Sequence, residues 1–203
     1  MDKKVLEHFR KVDKKLYSAA KKLNRKNLKP TKTKDPFAAL CRAIIYQQLS
    51  GKVGNVIWGR FVKLFPDERV NPKVIMKLSS QRIRSIGTSW GKVEFMKDLA
   101  RKFLSKEVIF ENLQKLDNEL VVQEITKVKG IGPWTAEMFL MFSLGREDVF
   151  SPGDLGLRRA MEKLYGLKEI TPEKADKMAE KWSPYRTYAS LALWSVNDNG
   201  TEK

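Results

Sequence analysis

The chain has one cysteine, Cys41, and one histidine, His8, in 203 residues. A lone cysteine forms no internal disulfide and builds no four-cysteine zinc or iron–sulfur site. Set in Ala39-Leu40-Cys41-Arg42-Ala43, it reads as a small buried hydrophobe rather than a reactive thiol. His8 sits in a lysine-rich amphipathic stretch, which makes it exposed or structural and leaves no strong histidine candidate for acid–base chemistry. No apolar run reaches the roughly 18–20 residues of a membrane span. Met1-Asp2-Lys3-Lys4 lacks the apolar core of a secretory signal, and there is no low-complexity tract. These absences exclude a membrane-spanning or disulfide-stapled protein and point to the cytosol or nucleus.

What is plentiful is positive charge. Forty Lys and Arg face 24 Asp and Glu, a net of +16, and such an excess attracts a polyanion and speeds association with it. Residues 1–34 hold 13 of the basic residues against 3 acids, a net of +10. Solvated lysines on a helix account for part of that bias, so basicity alone leaves nucleic acid, solubility and membrane-surface adsorption open.

The hydrophobic spacing is helical almost throughout. Val5, Leu6, Phe9, Val12, Leu16, Ala19, Ala20 and Leu23 recur at helical intervals, which predicts one amphipathic helix over 3–23 docked on the body. A polar basic linker, Asn24 to Lys34, follows. Helix starts are then marked at Asp35-Pro36, Gly51, Asn71-Pro72, Ser80, Ser89, Asp117, Pro133, Thr171-Pro172 and Ser183-Pro184. No stretch alternates with period two, so the expected fold class is all-α. The expected organisation is an N-terminal helix and linker (1–34) packed on a single domain (35–203).

Between two of these helices, in a hairpin spanning about 117–144, lies Val128-Lys129-Gly130-Ile131-Gly132-Pro133-Trp134-Thr135. Two glycines around one apolar residue permit a tight turn with left-handed backbone and close approach to a ligand. Pro133 opens the next helix, whose free N–H groups and dipole favour a phosphate. Two helices joined this way can clamp a DNA backbone without reading bases. The plainer reading is a loop between core helices.

The hairpin segment, together with Asp148-Val149-Phe150-Ser151-Pro152-Gly153-Asp154-Leu155-Gly156-Leu157-Arg158-Arg159-Ala160, resembles the helix-hairpin-helix (HhH-GPD) DNA glycosylase superfamily. The similarity is greatest to the compact form of its alkyladenine (AlkA-like, 3-methyladenine glycosylase II) branch. Arg42-Ala43-Ile44-Ile45-Tyr46-Gln47-Gln48-Leu49-Ser50, Ile86-Gly87-Thr88-Ser89 with Lys92, and Pro184-Tyr185-Arg186-Thr187-Tyr188 leading to Trp194 extend the match across roughly 36–197. The resemblance implies two helical lobes flanking a central cleft, and a monomer acting on double-stranded DNA in base excision repair. Its place would be the nucleoid-bearing cytoplasm of a prokaryote or the nucleus of a eukaryote.

The resemblance also implies that Asp154 is the catalytic carboxylate. Breaking an N-glycosidic bond develops positive charge on the sugar, which a fixed carboxylate stabilises while it orients the attacking water. On local sequence Asp154 equally suits the N-cap of a helix over 155–165, and the two roles are compatible. Lyase-competent members of the superfamily carry a lysine just after the hairpin turn; here that position is Trp134, so hydrolysis without strand cleavage is expected. The resemblance places Trp134, Met138 and Trp194 on a flipped base, with Gln47 facing the same pocket, and an aromatic face favours a base made cationic by alkylation. Met138 stands where some relatives carry tyrosine. Phe139, Leu140, Met141 and Phe142 read as core.

DNA contacts are expected from Lys129, Gly130, Gly132 and Thr135 at the hairpin, and from Gln48, Leu49 and Ser50, with Gln48 or Leu49 filling the vacated stack. Leu49 is the better apolar wedge. No cofactor is required and no iron–sulfur cluster is expected. A monovalent cation, sodium or potassium, on the backbone carbonyls of Thr126, Val128 and Ile131 is implied by the resemblance alone. Two other readings stay open: the same fold acting on deaminated or etheno purines, and a hairpin module that binds DNA without chemistry.

Overall fold

The computed structural model describes residues 1–22, 30–110 and 113–198. Among these, helices account for all regular structure: α1 Lys3–Val12, α2 Lys14–Lys22, α3 Pro36–Tyr46, α4 Gly51–Val62, α5 Pro72–Lys77, α6 Ser80–Arg84, α7 Trp90–Leu104, α8 Asn118–Thr126, α9 Pro133–Phe142, α10 Leu155–Tyr165, α11 Pro172–Ala179 and α12 Arg186–Asp198. An isolated bridge between Lys32 and Leu144 is the one extended pairing among the described residues. The all-α expectation holds.

Most helix starts follow from short-range capping. Asp35, Asn71, Ser89, Asp117, Asp154 and Thr171 each accept a backbone N–H from the first turn that follows, at a contribution of about 1 kcal/mol apiece. Proline occupies the first helical position after Asp35, Asn71 and Thr171. Helix α6 starts at Ser80 as expected, capped by Ser79, and α12 begins at Arg186, two residues after Pro184.

The chain divides into two compact units, one of residues 1–32 with 140–203 and one of 33–139. The N-terminal segment shares a unit with the C-terminal helices. Its expected single helix is two. The helix ends at Val12 because Asp13 leaves the helical conformation and turns its carboxylate inward. Asp13 accepts from Leu16 N at 3.0 Å, Tyr165 Oη at 2.7 Å and Trp182 Nε1 at 3.0 Å, and pairs with Lys181 Nζ at 2.9 Å. Burial pushes this carboxyl up; the four donors outweigh that and hold it below the usual carboxylate range. Val5, Phe9, Leu16 and Ala20 are buried in one core with Leu157, Met161, Trp182, Tyr188 and Leu193. Each large side chain so buried contributes roughly 1.5–3 kcal/mol. Leu23 and the linker through Lys29 lie outside the described residues.

In the other unit α7 is the central element, with α3, α5 and α6 packed on it. Its buried residues Val93, Met96, Leu99 and Ala100 share a core with Leu40, Ile44 and Ile45 of α3 and Ile75 of α5. Cys41 is buried there and burial pushes its thiol far up, in keeping with a hydrophobic role.

Candidate active site

The turn of the hairpin is built as its glycines require. Gly130 adopts φ +75°, and a Cβ on it would come within 2.2 Å of the Phe95 ring, so no other residue fits without displacing that ring. Val128 and Ile131 are buried, and the Ile131 N–H closes the turn on the Val128 carbonyl at 3.1 Å. From α7, Asp98 accepts the Lys129 N–H at 2.9 Å and Glu94 pairs with Lys129 Nζ at 2.7 Å. Burial raises the Asp98 carboxyl, but Lys129 N–H, Lys102 and Arg101 together hold it below the ordinary range. The exposed N–H groups of Gly130 and Gly132 donate to no protein acceptor among the described residues, which leaves them free for an anion.

The loop after α3 is tied to the same turn. Gln47 Nε2 donates to the Gly130 carbonyl at 2.8 Å and reaches Thr135 Oγ1 at 3.5 Å. Lys92 Nζ donates to the carbonyls of Ile45 at 2.7 Å and Gln47 at 2.6 Å, which satisfies the carbonyl end of α3. Burial holds this amine below the usual lysine range. Directly after these anchors Gln48 is exposed at φ +56°, a conformation that side-chain-bearing residues rarely adopt. Leu49 is half-buried, and Ser50 caps α4 by accepting the Val53 N–H at 3.4 Å. Gln47, Gln48, Trp134 and Thr135, all singled out in the sequence, line one cavity of about 330 Å³ with Ser89, Lys92 and Phe95.

Thr135 is buried, with its hydroxyl 3.5 Å from Gln47 Nε2. After α3, Gln48 is exposed and Leu49 half-buried.

In the unit that holds α10 and α12, the Ser151-Pro152-Gly153 turn closes by a bond from Asp154 N to the Ser151 carbonyl at 3.1 Å. Asp154 is 9% exposed. Its Oδ1 accepts the Leu157 N–H at 2.7 Å, the cap bond of α10, and Trp194 Nε1 at 3.2 Å. Capping and a fixed, indole-bonded carboxylate thus coexist in one side chain. A Cβ on Gly156 would lie 3.0 Å from Asp154 Oδ1 and 3.4 Å from Trp194 Nε1, and the Gly156 carbonyl takes Asn197 Nδ2 at 2.8 Å.

One aromatic escaped the sequence reading. Phe142, expected in the core, is 38% exposed and its ring lies 6.0 Å from that of Trp194. Trp134, Met138 and Phe142 stand at i, i+4 and i+8 along α9 and so share one face of that helix. Trp134 is 47% exposed and Met138 half-buried. The spacing was a usable signal, but the apolar run Phe139–Phe142 concealed it. His8, in contrast, is half-buried against Tyr185 and Phe9, a structural residue.

The HhH-GPD superfamily base excision DNA repair protein family matches residues 41–184. DNA-3-methyladenine glycosylase 1 of Schizosaccharomyces pombe is 33% identical over 177 residues, 84% of this chain and 78% of its own. A solved DNA-3-methyladenine glycosidase from Bacillus halodurans superimposes with a TM-score of 0.84 at 33% identity, covering 99% of this chain and 92% of that one. The S. pombe 3-methyladenine DNA glycosylase Mag1, solved with abasic DNA, gives 0.83 at 31% identity, covering 96% and 97%. Over this span the chain belongs to the HhH-GPD superfamily of base excision DNA repair proteins.

Proposed function

We propose that this chain is a monofunctional DNA glycosylase that takes alkylated purines out of duplex DNA and hydrolyses their N-glycosidic bond. The observation that carries the reading is the buried Asp154 carboxylate, fixed by Leu157 N and Trp194 Nε1 beside the Trp194–Phe142 ring pair. Relatives named as 3-methyladenine glycosylases, one of them solved with abasic DNA, support it.

As the base departs, positive charge develops on the sugar, and a preorganised carboxylate stabilises that charge without reorganisation. Asp154 also orients the water that attacks the anomeric carbon. Purines alkylated at N3 or N7 are already cationic leaving groups, so no strong acid is needed. Base recognition is assigned to Trp134 and Met138 of one unit and to Trp194 of the other, whose ring lies beside Phe142, since aromatic faces favour a cationic base. Gln48 fills the vacated stack, its exposed left-handed position following Gln47, which Lys92 and the Gly130 carbonyl tie down. The Gly130 and Gly132 N–H groups take a phosphate, and Lys129 can exchange its surface partner Glu94 for another, since such exposed pairs contribute at most about 1 kcal/mol. The partner we propose is double-stranded DNA carrying damaged bases, bound by a monomer.

The carbonyl end of α8 suits a monovalent cation. Lys102 already donates to the Lys127 carbonyl there, and the carbonyls of Thr126, Val128 and Ile131 are the oxygens that would hold sodium or potassium. Such an ion would tighten the hairpin on a phosphate and supply no chemistry.

Release of free base from methylated DNA, followed by chromatography, tests the function. The wild-type chain should release 3-methyladenine or 7-methylguanine, and Asp154→Asn should lose at least 100-fold in rate while binding DNA as before. Wild-type excision by that variant would overturn the assignment of Asp154. A panel of single-lesion duplexes carrying hypoxanthine and ethenoadenine separates alkylated purines from the deaminated and etheno alternatives.

A further inference from the structure

Helix α2, KKLYSAAKK, has four lysines and no acidic residue. Lys14, Lys15, Lys21 and Lys22 recur at i, i+1, i+7 and i+8, so they share one face, opposite the buried Leu16 and Ala20. All four are exposed, and none forms an ion pair among the described residues; Lys15 lies over the Tyr165 ring at 5.8 Å. In the same unit Lys181 pairs with Asp13 and Arg186 with Asp148, whereas α2 carries no acidic residue of its own to pair with its lysines.

The helix dipole accounts for only half of this face: Lys21 and Lys22 lie in the last turn, where a cation is favourable. Lys14 and Lys15 occupy the first turn, at the positive end of the helix dipole, where a cation is unfavourable. Helix α1 repeats the pattern, with Lys3 and Lys4 in its first turn and no acid there. The surface is also rigid. Leu16 and Ala20 are core residues, and Asp13 ties the start of α2 to Tyr165, Trp182 and Lys181. An amphipathic helix that lies on a membrane inserts its apolar face, and here that face is already buried in the unit.

We propose that the α2 lysine face holds the phosphate backbone of duplex DNA outside the lesion-bearing site, as a sequence-independent electrostatic contact. It rests on the reading that the chain works on DNA, but not on the choice of lesion. Within the unit, Tyr165 and Asp154 stand at opposite ends of the eleven-residue α10. That is about 16 Å of helix, or roughly five base pairs of duplex at 3.4 Å each. Lysine suits the task, being a mobile point charge that follows a backbone without demanding one geometry. The contact raises residence on undamaged DNA and leaves chemistry at Asp154 unaltered.

The test compares the full chain with the combined Lys14→Gln, Lys15→Gln, Lys21→Gln and Lys22→Gln variant. Binding to an undamaged 40-base-pair duplex is measured across salt concentrations. Each phosphate contact contributes about −0.9 to the slope of log K against log salt, so the variant should lose roughly 2–3 from that slope and bind at least tenfold more weakly at low salt. A matched Lys→Arg variant keeps the charge and should keep the slope. Single-turnover excision from a short methylated duplex at saturating protein should be equal in all three. An unchanged slope in a variant that melts like the parent overturns the proposal. So does tighter binding of the parent to anionic vesicles than to duplex, or loss of excision at saturation by the Gln variant. A parent chain that releases no base overturns the proposed function instead, and the salt experiment still decides this one.

Discussion

Trp194 Nε1 donates a hydrogen bond to Asp154 Oδ1 at 3.2 Å, on the same oxygen that caps α10. The indole is therefore a positioning group for the carboxylate as well as an aromatic surface. Hydrogen bonds to charged groups contribute roughly 1.5–3 kcal/mol, about a tenfold or greater effect on rate. Trp194→Phe keeps a ring and removes the donor; it should lower single-turnover excision about 10–50-fold and move DNA affinity little. Equal loss in both would make Trp194 a general packing residue.

Gly156→Ala separates stability from activity. Alanine is the better helix former by about 1 kcal/mol, yet its Cβ would stand 3.0 Å from the carboxylate oxygen. The variant should melt at or above the parent temperature while excising base about tenfold more slowly. Parent-like excision would show that Asp154 tolerates displacement.

Lys92 reaches two carbonyls at the end of α3, next to the left-handed Gln48. Lys92→Met leaves those carbonyls unmatched at a cost of about 1–3 kcal/mol in stability. Excision from duplex should fall tenfold or more, and excision from methylated single-stranded DNA, which needs no wedge, should fall far less. A parallel loss on both substrates would place Lys92 in the chemistry rather than the loop.

The hairpin position Trp134 has no amine with which to form a Schiff base. Lys92, which lines the same cavity, has its amine engaged by two carbonyls. Borohydride added during turnover should trap no protein–DNA adduct, and abasic product should stay uncleaved until alkali is added. A trapped adduct that vanishes in Lys92→Met would reverse the hydrolytic assignment.

Three carboxyls, Asp13, Asp98 and Asp148, sit below their ordinary value of 3.8: burial pushes each up, and surrounding donors more than offset it. A folded pKa below the unfolded one stabilises the protein above the unfolded value, and that contribution is lost as pH falls through the folded value. Thermal stability should therefore be flat in these groups at neutral pH and fall steeply only below about pH 4. Asp13→Asn should lose about 2–4 kcal/mol at pH 7 and show a shallower acid slope. An unchanged slope would mean that Asp13 does not titrate in that range.

How much of this was legible in the sequence depended on range. The N-caps Asp35, Ser89, Asp117 and Asp154 act on residues three positions away, so they could be read directly. The hairpin glycines and the all-helical periodicity were local in the same sense. The break at Asp13 was not, because hydrophobic spacing runs through it and two of the donors that make it worthwhile lie 152 and 169 residues further on. Phe142 likewise sits in an apolar run that promises burial, and only its neighbours along α9 and at Trp194 decide its exposure.

By itself, then, the sequence determined the helices, the hairpin turn and the presence of a carboxylate in a cap-forming turn. Backbone propensity and hydrogen bonding over three or four residues suffice for those. The tertiary structure decided that Gln48 is exposed and Leu49 half-buried, that Thr135 is buried beside Gln47, and that Asp154 is held by an indole forty residues away. Those outcomes rest on donors and rings meeting across the fold, a pairing that periodicity and composition do not encode.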